Sequence, residues 1–229
     1  MRFLVRSSLV PLAALLSVCA SGADLPTIYN RIDAGAAGFK GLTADIKRVA
    51  HMDLISEDDV ETGKIAVKRG KGRDVQMRID FQTPNEKQVA FSGTRADIYY
   101  PKTNTDEQYD LGKHKDMVDQ FLLLGFGTSS QDLRAKYNIK LIGTEAIGGQ
   151  PTTHIELTPK EKDMAQTFPK VELWISDSTG MALQQKLYEK GGKDYQLAAY
   201  SNMKLRPDIT EAEVKPNIPK NAHKTSPLK

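Results

Sequence analysis

Cysteine and tryptophan are the scarcest residues in this chain, at one each in 229, and aromatic residues make up only 7% of it. A lone cysteine, Cys19, excludes an internal disulfide framework and cysteine-built zinc sites. Stability must come from an ordinary apolar core, which a chain of about 200 residues can supply. An excess of one charge is missing too. The formal charge is +3, and it falls to +1 once Arg2 and Arg6 are removed with the leader described below. Near-neutrality gives no footprint for nucleic acid, so no nucleic-acid partner is expected.

Catalytic motifs are also lacking. There is no Gly-x-Ser-x-Gly elbow and no P-loop. Gly125-Phe126-Gly127 has no third glycine and does not follow a strand, so it is no dinucleotide fingerprint. His51, His114, His154 and His223 are far apart and share no metal-ligand spacing. His154 falls on the polar side of a strand and reads as solvent-exposed. Ser56-Glu57-Asp58-Asp59 reads as a solvated acidic turn without the glycine and spaced ligands of a calcium loop. Lys68 to Arg73 is a basic turn that could touch phosphate, although solvated charge explains it as well. Carboxylates are plentiful but fall on wet strand faces; a glycosidase-like pair is the one hydrolytic arrangement left open. A non-enzyme without metal or cofactor is the expectation.

The N-terminus is informative. A basic head (Met1 to Arg6), an apolar stretch and small residues after it make a secretory signal peptide. The apolar stretch, roughly fourteen residues against the about twenty that span a bilayer, is too short for a membrane anchor. Cleavage fits after Ala20 or after Ala23. Leu16-Ser17-Val18-Cys19 approaches a lipidation box, but Val18 stands where a small residue is wanted. The division is thus a signal peptide over 1–23, one domain over 24–216, and a flexible Lys- and Pro-rich tail over 217–229.

Most of the remaining chain alternates with period two. Val75, Met77, Ile79 and Phe81 share one face of a strand whose other face is Asp74, Gln76, Arg78, Asp80 and Gln82. A glycine turn joins it to Lys64–Arg69, where Ile65 and Val67 set the apolar side. Continuing that register places Arg69 on the apolar side as well, where a charge needs a reason. Leu42, Ala44 and Ile46 alternate until a phase slip near Arg48-Val49 that suggests a bulge. Further strands follow at Gln88–Ser92, Ala96–Tyr100, Asp106–Leu111, Ile139–Leu141, Thr153–Leu157, Val171–Ile175, Leu183–Tyr188 and Tyr195–Leu205, with an edge strand near Val214. The count is roughly eleven strands, an all-β antiparallel pattern. Two helical regions interrupt it. Asp24-Leu25-Pro26 caps an amphipathic helix carrying Leu25, Ile28, Ile32, Ala36 and Phe39. A mid-chain helix, Asp116–Phe126, has no charge after Asp119 and presents Met117, Phe121, Leu122 and Leu124; a short one, Ser129–Tyr137, follows. A long twisted sheet curls, and the uncharged helix can be plain core or a movable cover over an apolar cavity.

Four stretches carry a family resemblance: Ala36 to Ala44, Gly63 to Arg69 with the strand after it, Ile98-Tyr99-Tyr100-Pro101, and Tyr137 to Lys160. In their order and spacing they resemble the LolA-like family of periplasmic outer-membrane lipoprotein carriers. The resemblance implies an unclosed, strongly curved antiparallel β-barrel, mainly β, lidded by the N-terminal and mid-chain helices. It implies a concave face that takes lipoprotein acyl chains through Ile65, Val67, Met77, Ile79, Phe81, Phe91, Met117, Phe121, Leu122 and Leu124. Arg69 matches the family arginine that latches the lid to helix carbonyls. Gly70 stands where the family usually has proline, and Glu213-Val214 where phenylalanine is common. The expected partners are lipoprotein acyl chains, an inner-membrane releasing transporter and an outer-membrane acceptor. The expected setting is a monomer in the periplasm. A LolA-like sensor or general lipid-binding module is the alternative.

Overall fold

The computed structural model describes residues 24–70, 75–112 and 124–227; the leader and most of the mid-chain helix expected from sequence lie outside them. Helix α1 (Leu25–Ala37) begins at Asp24, whose side chain accepts from the Thr27 amide at 2.9 Å. Ile28 and Ile32, one turn apart, are buried, as the helical period requires.

Among the described residues twelve strands make one sheet: β1 (Gly41–Met52), β2 (Glu57–Arg69), β3 (Val75–Thr83), β4 (Lys87–Ser92), β5 (Arg95–Tyr100), β6 (Thr105–Asp110), β7 (Tyr137–Ile147), β8 (Gln150–Pro159), β9 (Lys170–Ser176), β10 (Ala182–Tyr188), β11 (Tyr195–Leu205) and β12 (His223–Thr225). The order is β12-β6-β5-β4-β3-β2-β1-β11-β10-β9-β8-β7. The sheet does not close into a barrel, and every pairing is antiparallel except β12 on β6. Short helices α2 (Ser130–Lys136), α3 (Lys162–Thr167) and α4 (Glu211–Val214) punctuate it.

Several local expectations change. β1 runs unbroken, paired residue for residue with β2, and its irregularity lies between Thr43 and Asp45 against β11 rather than at Arg48-Val49. The turn after β1 is Asp53–Ser56, so Glu57, Asp58 and Asp59 belong to β2 instead of an acidic loop. Cross-strand pairing to Met52, His51 and Ala50 overrides the low strand propensity of these acids. Val214 is buried in α4, not in an edge strand; the edge strand is β12. The side chain of His154 is only 14% exposed, because its ring stacks on Trp174 at 4.2 Å.

After β11 the chain returns across the face opposite α1. Arg78 donates to the Lys215 carbonyl (2.9 Å), the Asn217 amide donates to Gln88 Oε1 (2.8 Å), and the His223 amide donates to the Asn104 carbonyl (2.8 Å). This strap delivers β12 to the β6 edge and covers an edge that would otherwise invite pairing.

Asp97 and Asp106 lie buried on that outer face, at 2% and 0% exposure. Burial pushes the Asp97 carboxyl above the ordinary range; Arg95, at 2.9 Å, opposes this and Asp106 adds to it. A carboxyl with a raised folded-state pKa destabilises the fold progressively as pH rises from the ordinary aspartate value through the raised one. Asp97→Asn, which keeps an acceptor for Arg95, is therefore expected to raise Tm at pH 7 and to match wild type near pH 3. Each kcal/mol gained is worth roughly 2–4 °C at this chain length. A lower Tm for the variant at pH 7 would mean that the Arg95 pair outweighs the burial.

Candidate functional site: the inner face of the sheet

Alternation places two apolar clusters on the inner face. One gathers Leu42, Ala44 and Ile46 of β1, Ile65 and Val67 of β2, and Val75 and Met77 of β3, with Ile79 and Phe91 packed against it. The other lies under α1 and joins Ile28 and Ile32 to Ile155, Leu157, Val171, Leu173 and Ile175. Helix α1 is fixed over this second cluster by polar contacts at its rim. Arg31 pairs with Asp177 at 2.6 Å, and Asp33 accepts from both the amide and the hydroxyl of Ser130 at 2.7 Å.

The segment Leu124–Gly127 bridges the clusters. Leu124 belongs to the one beneath α1, Phe126 to the other, and both are 1% exposed. The segment is a turn, so the helix expected to reach Phe126 does not include residues 124–127. Its backbone is held to β10: the Ala182 amide donates to the Gly125 carbonyl (2.9 Å), and the Gln185 amide group donates to the Leu124 carbonyl. Gly125 has φ +87°, and a Cβ there would sit 2.4 Å from that of Ala182, so glycine is required for this close approach. The Phe126 ring meets Tyr200 edge-on, 4.8 Å between centroids and 73° between planes, a favoured aromatic geometry. Loss of water around the Tyr200 hydroxyl pushes its pKa upward.

The residues expected to bind acyl chains sort as follows. Ile65, Val67 and Met77 come together and are buried, with Ile79 and Phe91 beside them. Leu124 is buried in the neighbouring cluster. Phe81, 3% exposed, lies at the polar end of the face, with Lys87 Nζ 5.1 Å from its ring centre. Met117, Phe121 and Leu122 lie outside the described residues. Arg69 ends β2 opposite the buried Val75. It is two residues beyond Val67, hence on the same face, and half-buried. Its backbone amide donates to the Lys40 carbonyl at 2.8 Å.

Other parts of the site were not among the expected binding residues. Phe39, expected on the apolar face of the first helix, lies past its end at Ala37 and completes the first cluster with Phe126 and Met181. At its far end the face turns polar. Arg48 and Lys87 hold the buried Glu61 at 2.7 and 2.6 Å, and Arg48 also donates to Gln196 at 2.7 Å. The signal was available: Arg48 continues the parity of Leu42, Ala44 and Ile46, and Glu61 that of Ile65 and Val67, just as Arg69 does at the opposite end. On the outer face a groove of about 580 Å³ is lined by charged residues, among them Lys64, Arg78, Asp80, Lys204 and Glu213, which makes it no site for an acyl chain. Among the described residues no group of His, Cys, Asp and Glu converges as metal ligands, and no helix is long and apolar enough to cross a membrane.

An open, almost wholly antiparallel sheet of this order is a fold shared with solved structures. MucB matches with a TM-score of 0.52 at 17% identity over 86% of this chain, and the chain spans 64% of that MucB chain. An uncharacterized conserved protein of Thermus thermophilus matches with a TM-score of 0.53 at 14% identity, covering 88% of this chain and 98% of that one. A LolA superfamily protein of Nitrosomonas europaea gives 14% identity over 83% of this chain and 97% of that one, with a TM-score of 0.40. No curated protein matches in sequence. A family model described as "Uncharacterized protein" matches residues 112–226. The chain belongs to that family, and it shares its fold with MucB and the Thermus thermophilus protein.

Proposed function

We propose that this protein is a non-enzymatic periplasmic carrier that shelters the acyl chains of lipoproteins on the inner face of its sheet and passes them towards the outer membrane. One observation carries the reading. The apolar inner face is divided by a segment, Leu124–Gly127, that is held to β10 by one backbone and one side-chain hydrogen bond and fills the face with Phe126, a side chain that an acyl chain of similar apolar character would displace. Ile65, Val67, Met77, Ile79, Phe91 and Leu124 would line the bound chains, with Phe81 at the polar end. Burial of apolar surface supplies about 25 cal/mol per Å², and a few hydrogen bonds of roughly 0.5–1.5 kcal/mol each oppose the displacement, so exchange is reversible. In this reading a releasing transporter loads the protein and an outer-membrane acceptor unloads it.

Arg69 is the latch in this account. Its place on the apolar parity beside Val67 and Val75 supports that role. Titration with a fluorescent polyene fatty acid, displaced by a triacylated lipopeptide, tests the reading. Saturable binding at one site per chain is expected; no saturable binding overturns it. Arg69→Leu is expected to keep the wild-type Tm while changing the probe's dissociation rate about tenfold or more, the equivalent of 1.5–3 kcal/mol for charged hydrogen bonds. An unchanged rate would remove Arg69 from the mechanism and leave the carrier reading standing.

A further inference from the structure

The β1–β2 hairpin ends in a knob that the carrier reading does not use. Met52, Leu54 and Ile55 fall within four residues of one another and are 42%, 95% and 58% exposed. Isolated exposed apolar side chains are ordinary, whereas clustered ones mark contact surfaces. This cluster is also held in place. The Asp53 amide donates to Asp194 Oδ1 at 2.8 Å, Lys193 pairs with the Asp53 carboxylate at 3.0 Å, and the Ser56 amide closes the turn on the Asp53 carbonyl at 3.1 Å. The β10–β11 turn therefore braces the hairpin tip, and Leu54 is presented to solvent from a fixed turn. A backbone turn already held in place costs less ordering entropy on binding than a mobile loop.

Charge decides what fits. From Val49 to Glu61 the chain has Asp53, Glu57, Asp58, Asp59 and Glu61 and no lysine or arginine. Glu61 is turned inward to Arg48 and Lys87, Asp53 is taken by Lys193, and Asp58 faces His51 at 2.7 Å. Glu57 and Asp59 remain exposed beside the apolar tip. An apolar tip beside surplus negative charge is repelled by an anionic bilayer and matches a basic protein surface. We propose that Met52, Leu54 and Ile55 form a docking knob for a partner protein that offers an apolar socket rimmed by lysine and arginine.

A photo-crosslinking residue placed at Leu54 in the full-length protein in its native cells tests this, with the same residue at exposed Lys162 as the control. The expected result is an adduct with one other protein, mapped to an apolar surface flanked by Lys or Arg. The double change Glu57→Lys and Asp59→Lys should cut its yield at least about fivefold while Tm stays within about a degree. No adduct above the Lys162 control, an adduct with a second copy of this chain, a mapped surface without basic residues, or a yield indifferent to the charge reversal would each overturn the proposal. Co-sedimentation with phosphatidylglycerol–phosphatidylethanolamine vesicles that Leu54→Asp abolishes would overturn it in favour of a membrane contact. Leu54 touches little of its own chain, so neither outcome can be blamed on misfolding.

Discussion

Phe126→Ala is expected to lower stability by about 3–5 kcal/mol, the usual cost of removing a buried phenylalanine, and to make Tm unusually responsive to lipid. The ring is 1% exposed and packs with Phe39, Met181 and Tyr200. Flanking backbone held to β10 prevents the segment from collapsing into the space. The cavity is apolar and stays open to an acyl chain. A fatty acid that binds the folded state stabilises it by mass action, and it binds the variant without first displacing the ring. Saturating lipid should therefore raise the variant's Tm more than that of wild type. Thermal melts with and without a long-chain fatty acid check both halves. A large loss of stability with no added response to lipid would make Phe126 plain core.

Gly180→Ala is expected to undock helix α1. Gly180 lies in the turn between β9 and β10 with φ +70°, and a Cβ there would be 1.9 Å from the Arg31 carbonyl oxygen and 3.2 Å from the Ile32 amide. Backbone lies on that side, and no flexible side-chain end can move away. On the facing helix, a Cβ on Gly35 would meet the Thr179 carbonyl oxygen at 2.7 Å, so the two glycines let the backbones touch. Lifting α1 would expose Ile28 and Ile32 and pull Arg31 from Asp177 and Asp33 from Ser130. Backbone strain and the loss of buried packing combine here, and a cost above about 3 kcal/mol follows, or roughly 6–12 °C in Tm. Limited proteolysis should cut within 24–40 in the variant well before wild type. A Tm within about a degree of wild type would show that the helix docks without this contact.

The inner face was legible from sequence because strands of period two separate Ile65, Val67 and Met77 from Lys64, Ala66 and Arg78. The first helix was legible from its Asp-Leu-Pro start. What sequence left obscure depended on pairing between distant segments. The acidic residues after Ser56 look like a loop until β1 supplies partners for them. His154 looks wet until Trp174, its partner on the next strand, stacks on it. The strap over the outer face is invisible locally, since residues 215–222 are an irregular Pro-containing stretch held by Arg78 and Gln88. Phe126 was hidden by its surroundings: an apolar helix pattern runs through it, and the positive-φ glycines on either side mark a turn rather than the frayed end of a helix.

The charged residues on apolar parity form one pattern. Arg69 at one end, and Arg48 with Glu61 at the other, bracket Ile65 and Val67 on the same face. A continuous apolar face bounded by charge at both ends is the physical content of the carrier reading.

Native mass spectrometry of the protein purified without detergent from its own cells tests that reading most directly. The account predicts a population heavier than the bare chain by the mass of an acylated molecule, which reverts to the apo mass after solvent delipidation. It also predicts that the extract contains long-chain acyl groups in about molar amount. A clean apo mass, with no acyl material in the extract and no uptake of added lipopeptide, would contradict it.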